Sequence, residues 1–524
     1  MKTFFKNFFQ NNWKFKFVHF GIMCIVLLIA LTSFIDGEYQ LQLPGNNIFA
    51  NITFITVILM GVIYYFIFVI FEKYNIKPEK LYLVLVIPLA IMYCIANPLG
   101  KIPDEDQHAR RAYMISKGIF LADKDESGKP VGMINSKIHE LVTRTTTSYE
   151  EFWSRLTAPE TDEEYMMNYS MATYSPICHI PQAFGMFIAR LFGCGISVQC
   201  YFARVFNMIL AITCIYFSIK LIPFKKHIVL FLGLLPITIS EFASMSSDAI
   251  TLGVCILFIS YILYLKYNKN KKIISKKDIF ILSVLSIVVS LCKIVYVPIC
   301  LLLFTLPKEK FNKKNHVIII KFGIFFGALI INILWLSYAT TFLVEVNPGV
   351  NSKEQIIYIL THPISYLLIL FRTIHIYNQT FILSLCGEGL GHFNSQASVL
   401  FVFPCLIIFA MLFFVNEDKN KKEFNFKEKI VYLIIFTIVV LLIYTSLYVA
   451  WTSLKSPVIL GVQSRYFLPV ILLTVITFDN KTIIFNKKIK EKYIYSFMLF
   501  MNLNALSCLI FMYINDYIIN YYIK

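Results

Sequence analysis

Charge is what this sequence has least of. Of its 524 residues only 15% are Asp, Glu, Lys or Arg, while 58% are hydrophobic. Soluble domains carry about a quarter charged residues and under half apolar ones, so a water-soluble chain is excluded, however many domains it is divided into. Acids are the scarcer sign, 31 against 48 Lys and Arg, for a formal charge of +17. In a soluble protein that excess suggests a polyanionic partner. Here the cations sit in short blocks between long apolar runs: Lys266–Lys277, Lys308–Lys314, Lys419–Lys429 and Lys481–Lys492. Short Lys-rich loops are held on the cytoplasmic side of a membrane, so the excess orients the chain in a bilayer. Nucleic acid is not among the expected partners, whereas the anionic headgroups of membrane lipids are.

Several motifs are missing as well. The twelve cysteines include no C-x-x-C and follow no regular spacing, which argues against a disulfide framework or a zinc site and leaves them as small core or membrane-facing residues. Cys178, Cys194 and Cys200 are close enough in sequence for one pair to bridge. No G-x-x-x-x-G-K-[ST] loop and no G-x-S-x-G elbow is present, so ATP-driven and serine-hydrolase chemistry have no support. There is no internal repeat of the kind that marks many secondary transporters. The basic N-terminus precedes an apolar run, Val18–Ile35, that is long for a signal peptide and lacks a small-residue cleavage site, so a retained first span is expected.

A membrane span needs about 20 mostly apolar residues. From a cytoplasmic N-terminus, spans are expected near 17–35, 48–71 and 81–99, with the Lys73–Lys80 loop inside. Residues from Gly100 to about Val198 then lie outside; this least hydrophobic stretch holds 13 of the 31 acids. Within it Pro176–Phe192 is apolar enough to suggest a crossing. A crossing there inverts every later Lys block, so a helix lying in or against the outer interface is expected instead. Spans follow near 199–222, 228–244 and 249–266, then a tight pair at 279–292 and 294–306 with Lys293 at its turn, then 316–339. A second outer loop, 340–396, holds an amphipathic segment, Gln355–Tyr377, and the glycines Gly387, Gly389 and Gly391. Spans near 397–415, 429–449, 464–480 and 493–514 finish the chain around a third outer loop, 450–463. The expected fold is all-α, a polytopic transmembrane bundle of about thirteen helices. It divides into residues 1–99 (three spans), 100–198 (large outer loop with an acidic motif and interfacial helices), 199–339 (spans), 340–396 (second outer loop) and 397–524 (spans).

Ionisable residues at the membrane edge are costly and therefore informative. The densest group opens the large loop: Pro103-Asp104-Glu105-Asp106-Gln107-His108-Ala109-Arg110-Arg111. Proline and acids suit an ordinary helix start. Yet Asp104, His108 and Arg111, spaced i, i+4 and i+7, share one helical face that sets a carboxylate, an imidazole and a guanidinium together, fit to deprotonate a hydroxyl and hold an anion. Asp248 follows Ser246-Ser247 at the outer start of a span, as a helix cap or a site residue. Lys293 lies on the side opposite the other Lys blocks, where snorkelling explains it poorly and anion binding explains it better. Arg465 and Tyr466 stand where the third outer loop enters a span, as an interfacial anchor or a bidentate phosphate reader. Arg372, His375, Glu388 and His392 add weaker polar groups in the second loop.

Five runs, in order, carry a resemblance: PDEDQHARRAY, YSPICHIPQAFG leading to RVFN, LLPITISEFASMSSDA, CKIVYVP and GVQSRYFLP. Together, over about residues 81–480, they resemble domain-of-unknown-function family twenty-one forty-two, bacterial polytopic membrane proteins that look related to the GT-C superfamily of membrane glycosyltransferases. The resemblance implies GT-C-like outer loops and an enzyme at the outer face of the bacterial plasma membrane, which passes sugar from a polyprenyl-phosphate donor to an envelope glycan or lipid-linked acceptor. It maps the family's acidic pair onto Asp104, as general base, and Glu105, as its support or as a ligand to a divalent cation (Mg or Mn) where one is used. It raises Lys293 and Arg465 as partners of the donor phosphate, with Tyr174, Arg204 and Gln463, from the same motifs, as further substrate-binding candidates beside His108, Arg111, Asp248 and Tyr466. The main alternative is a transporter or flippase of lipid-linked saccharides; a non-catalytic scaffold is the third.

Overall fold

The computed structural model describes residues 76–509, apart from 139–163, 343–346, 394–398, 415–423, 480–493 and single positions 98, 127, 129, 169, 313, 386, 496 and 507. The spans expected near 17–35 and 48–71 lie outside the described residues.

The chain is mostly helical. Its helices are α1 (Pro78–Ala96), α2 (Glu105–Ser116), α3 (Ile180–Leu191), α4 (Ile196–Leu221), α5 (Lys226–Gly233), α6 (Pro236–Phe242), α7 (Asp248–Tyr267) and α8 (Lys276–Cys292). They continue as α9 (Val317–Ala339), α10 (Ser352–Thr361), α11 (Pro363–Leu385), α12 (Val399–Phe414), α13 (Phe426–Ala450) and α14 (Ile471–Thr477). Among the described residues five helical segments are long and apolar enough to cross a bilayer: α1, α4, α7, Lys314–Phe342 around α9, and α13. A sixth follows if α10 and α11, bent by 107°, form one broken span. The segment near 228–244 is not one rod but α5 and α6, broken where Pro236 opens the second helix without an amide hydrogen to give.

The all-α expectation needs one amendment. The large loop carries a three-stranded antiparallel sheet of β1 (Asp123–Lys124), β2 (Pro130–Asn135) and β3 (Glu164–Asn168), with Asp123 opposite Val131 and Asn135 opposite Glu164. Strands of two to six residues are too short to leave a periodic hydrophobic signature.

Helix α7 is the axis of the bundle, 83% buried, whereas the Lys314–Phe342 and α13 spans are only 22% and 28% buried and turn most of their apolar surface outward, as lipid-facing helices do. Ion pairs and carbonyl caps gather the Lys-rich ends at one end of α7. Lys266, near its C-terminus, lies 2.9 Å from Glu428 at the start of α13. Lys310 donates to the Leu265 carbonyl at 2.7 Å, and Lys321 to that of Leu306 at 2.5 Å. Twenty α-helical residues rise about 30 Å, and at the far end of α7 stands Asp248.

The tight pair 279–292 and 294–306 explains how so few residues make a round trip along this axis. The 17 residues of α8 rise about 25 Å. The return, Ile294–Thr305, is 12 residues of 3-10 helix, which at about 2.0 Å per residue covers nearly the same distance. An α-helix of that length falls short by a full turn.

In the large loop α3 doubles back on α4 through Gly193, whose φ of +69° suits glycine. Its apolar stripe of Ile180, Phe184, Phe187 and Leu191 is exposed, while Gln182, Ala183, Met186 and Ala189 are buried. The two helices touch at Gly185, where a Cβ meets the Phe202 carbonyl oxygen at 2.5 Å. Gly185→Ala is therefore expected to destabilise the protein by about 1–3 kcal/mol through forced separation of α3 from α4. A lower melting temperature in detergent checks this, and an unchanged one refutes it.

Candidate functional site

Five separated segments meet at the Asp248 end of the bundle. Asp104 precedes the first residue of α2 and is held at φ +63°, ψ +3°, a left-handed conformation that costs a side-chain-bearing residue on the order of 1 kcal/mol and that aspartate tolerates better than most. The carboxylate is thereby taken out of the helical turn and faces Arg465. That residue lies in a 3-10 turn, Ser464–Tyr466, and is buried.

The Arg465 guanidinium meets a carboxylate at each of its three nitrogens. Nη1 donates to Glu241 Oε1 at 2.7 Å and Nη2 to Asp104 Oδ2 at 3.1 Å, and Nε stands 3.0 Å from Asp248 Oδ2. The other Asp248 oxygen pairs with Lys293 Nζ. Lys293 in turn lies 4.8 Å from the ring centre of Tyr466 and 5.9 Å from that of Tyr174, within cation–π range. The Tyr296 hydroxyl donates to the Tyr466 carbonyl at 2.8 Å, fixing that backbone. Three carboxylates thus surround two cations. The cluster is graded in depth: Arg465 and Glu241 are buried, Asp248 and Lys293 are partly so, and the Asp104 side chain is 45% exposed.

Beside it His108 Nδ1 and His179 Nε2 are 2.8 Å apart, with Tyr174 edge-on to both rings. Burial pushes His108 down to about 4 and lowers His179 too, with the neighbouring His108 and Arg111 adding to the second effect. At neutral pH both imidazoles are uncharged, one donating to the other, so they tie the turn at Pro176–His179 to α2 and are poorly suited to act as a base.

The structure brings Asp104, Tyr174, Asp248, Lys293, Arg465 and Tyr466 together, and it redirects the other candidates. The shared face of Asp104, His108 and Arg111 does not form, because Asp104 lies outside α2 and Arg111 spends its guanidinium on the carbonyls of Phe120 (2.9 Å) and Tyr174 (3.2 Å). Glu105 is fully buried. Its Oε1 accepts from Arg204 Nε at 2.7 Å and the Met245 amide at 3.1 Å; its Oε2 accepts from Arg204 Nη2 at 2.6 Å and the Gly100 amide at 2.9 Å. Arg204 completes its set on the carbonyls of Cys94 and Asn97. This pair joins α1, α2 and α4, with both carboxylate oxygens and the guanidinium engaged inside the protein. With its oxygens so engaged Glu105 does not fit as a metal ligand, and among the described residues no three His, Cys, Asp or Glu side chains are placed to hold a metal ion. Among those residues no hydrogen bond or ion pair joins the Gln463 side chain to the cluster. Ser247 makes no side-chain cap to α7; Ser246 Oγ instead accepts from the Asp248 amide at 3.1 Å.

Glu241, His179 and Tyr296 belong to the assembly although none stood out in the sequence. For Glu241 a signal existed, since it is a lone acid inside an apolar run, the position where an ionisable residue is functional by default.

Residues 87–474, about three quarters of the chain, match a family described as "Predicted membrane protein (DUF2142)". No curated protein and no solved structure matches the chain.

Proposed function

The chain belongs to the family of predicted membrane proteins DUF2142, and from the geometry of its site we propose that it is a GT-C-type glycosyltransferase. It takes sugar from a polyprenyl-phosphate donor and passes it to an envelope glycan or lipid-linked acceptor at the outer face of the bacterial plasma membrane. The N-terminus is cytoplasmic, and about thirteen helices in all cross or enter the bilayer.

The observation that carries this proposal is the convergence of an exposed, strained Asp104 with two cations and two tyrosines at the end of the bundle opposite the lysine-rich loops. A lipid-linked donor keeps its tail in the membrane and its phosphate at the interface, so the reacting atoms arrive at this level. The donor phosphate takes the place of Asp104 on Arg465 Nη2 and extends toward Lys293. The displaced Asp104 carboxylate then accepts the proton of the acceptor hydroxyl as its oxygen bonds to the anomeric carbon, and the phosphate departs with the electrons of the broken bond. Glu241 and Asp248 keep Arg465 and Lys293 in place, so positive charge is preorganised where anionic charge grows. The exposed stripe of α3 rests in the interface beside the site. A flippase instead needs polar groups along a path through the membrane, whereas α1 and α7 carry no charged residue between their ends, α13 none after its first turn, and the buried Arg204 inside α4 is engaged by Glu105.

Cells lacking the gene are expected to lose one component of their envelope glycans. Unchanged glycan composition under all growth conditions overturns the proposal. Arg465→Lys keeps the charge but loses the three-way fork, so donor use is expected to weaken by on the order of tenfold or more, the worth of one charge-assisted hydrogen bond. Unaltered dependence on donor concentration removes Arg465 from donor binding.

A further inference from the structure

We propose that Cys178 and Cys292 form a disulfide that fastens the large outer loop to the transmembrane bundle beside the ionic cluster. Cys178 lies in the 3-10 turn Pro176–His179 and is fully buried. Its sulfur stands 3.4 Å from the Leu291 carbonyl oxygen and 3.5 Å from that of Cys292, at the end of α8. Both cysteines are buried, free thiols in this structure, and the Cys178 thiol is directed at the backbone of Cys292 itself. The nearer cysteines in sequence are placed elsewhere: Cys194 is half-exposed in the turn between α3 and α4, and Cys200 is packed in a separate apolar cluster with α2.

The position of the pair gives the bond its consequence. One residue beyond Cys178 is His179, partner of His108; one residue beyond Cys292 is Lys293, partner of Asp248. A bond between the sulfurs fixes both backbones to each other and closes a loop of 114 residues, constraining the unfolded chain far more than a local bridge does. Each thiol gives up one proton and one electron. The two electrons reduce the disulfide of an exported dithiol oxidoreductase to two thiols: one cysteine thiolate attacks that disulfide, and the second displaces the oxidant from the mixed intermediate. Because docking buries both sulfurs, the exchange precedes the docking of Pro176–His179 on α8. The inference rests on the outward orientation proposed above, since disulfides persist on the oxidising side of the membrane.

The test uses the full chain in membranes of producing cells, denatured in excess N-ethylmaleimide without reductant and then digested for mass spectrometry. The expected product is a peptide linking Cys178 to Cys292 that disappears after dithiothreitol; in Cys178→Ser the other cysteine is alkylated instead. Complete alkylation of both cysteines in the unreduced wild-type protein overturns the proposal. Should the single variants fold poorly, the wild-type protein in detergent is expected to melt at a lower temperature with dithiothreitol than without, and a melting temperature indifferent to reductant counts against the bond. None of these measurements uses sugar transfer, so loss of the glycosyltransferase proposal leaves the result standing. Labelling that places residues 104–170 in the cytoplasm removes the orientation and the disulfide together, whereas outward labelling with free thiols removes the disulfide alone.

Discussion

Asp104→Asn is expected to reduce sugar transfer by about 100- to 10,000-fold, the range for loss of a positioned general base, while leaving the protein folded. The substitution is nearly isosteric. Asparagine shares aspartate's tolerance of the left-handed conformation at φ +63°, and its amide oxygen keeps one acceptor for Arg465. The negative charge is lost, and with it the capacity to take a proton. The side chain is 45% exposed and bears on Arg465 alone among the cluster's cations, so the fold has little to lose. Transfer measured with a lipid-linked donor, together with the melting temperature in detergent, separates the two effects. Near-normal transfer removes Asp104 from the mechanism, and a collapsed melting temperature makes it a structural residue.

Arg204→Met is expected to fail the other way. It leaves the fully buried Glu105 carboxyl without its cation and takes the Arg204 donors from the carbonyls of Cys94 and Asn97; breaking a buried pair from one side costs about 3–5 kcal/mol. Little folded protein should be recovered from membranes. Changing both partners, Glu105→Leu with Arg204→Met, should recover part of that stability, because the uncompensated carboxyl is gone even though the amides of Gly100 and Met245 remain without their acceptor. Were Arg204 a donor-binding residue, the single variant would fold normally and lose only transfer. Normal yield and melting temperature for Arg204→Met would therefore overturn the structural assignment.

These two neighbours in sequence, Asp104 and Glu105, show how far the residues could be read without coordinates. The apolar runs and Lys blocks carry the membrane character of the chain, because hydropathy and loop charge act locally. The motifs around Asp104, Asp248, Lys293 and Arg465 could each be recognised as polar groups at span ends. Their meeting around one guanidinium depends on packing between helices separated by hundreds of residues. Which of two adjacent acids turns inward was likewise hidden, since it follows from one backbone angle at Asp104 and from the place of Arg204 on α4. The short sheet and the break at Pro236 left weak local signals, and the 3-10 return after Lys293 left none, because its sequence is as apolar as an α-helical span.

The cluster around Arg465 also sets a timetable for biosynthesis. Glu241 and Arg465 are 224 residues apart in the chain, and Asp104 and Arg465 are 361 apart, so at about 5–20 residues per second the carboxylates wait on the order of ten to seventy seconds for the guanidinium that neutralises them. Until then Lys293 is the one cation of the cluster available to them. A buried carboxylate without a partner is costly in a bilayer, so this end of the bundle stays wet while the later helices insert. The arrival of a single arginine then closes it, and a chain that stops short of Gly461 is left with an open, acidic end on which quality control can act.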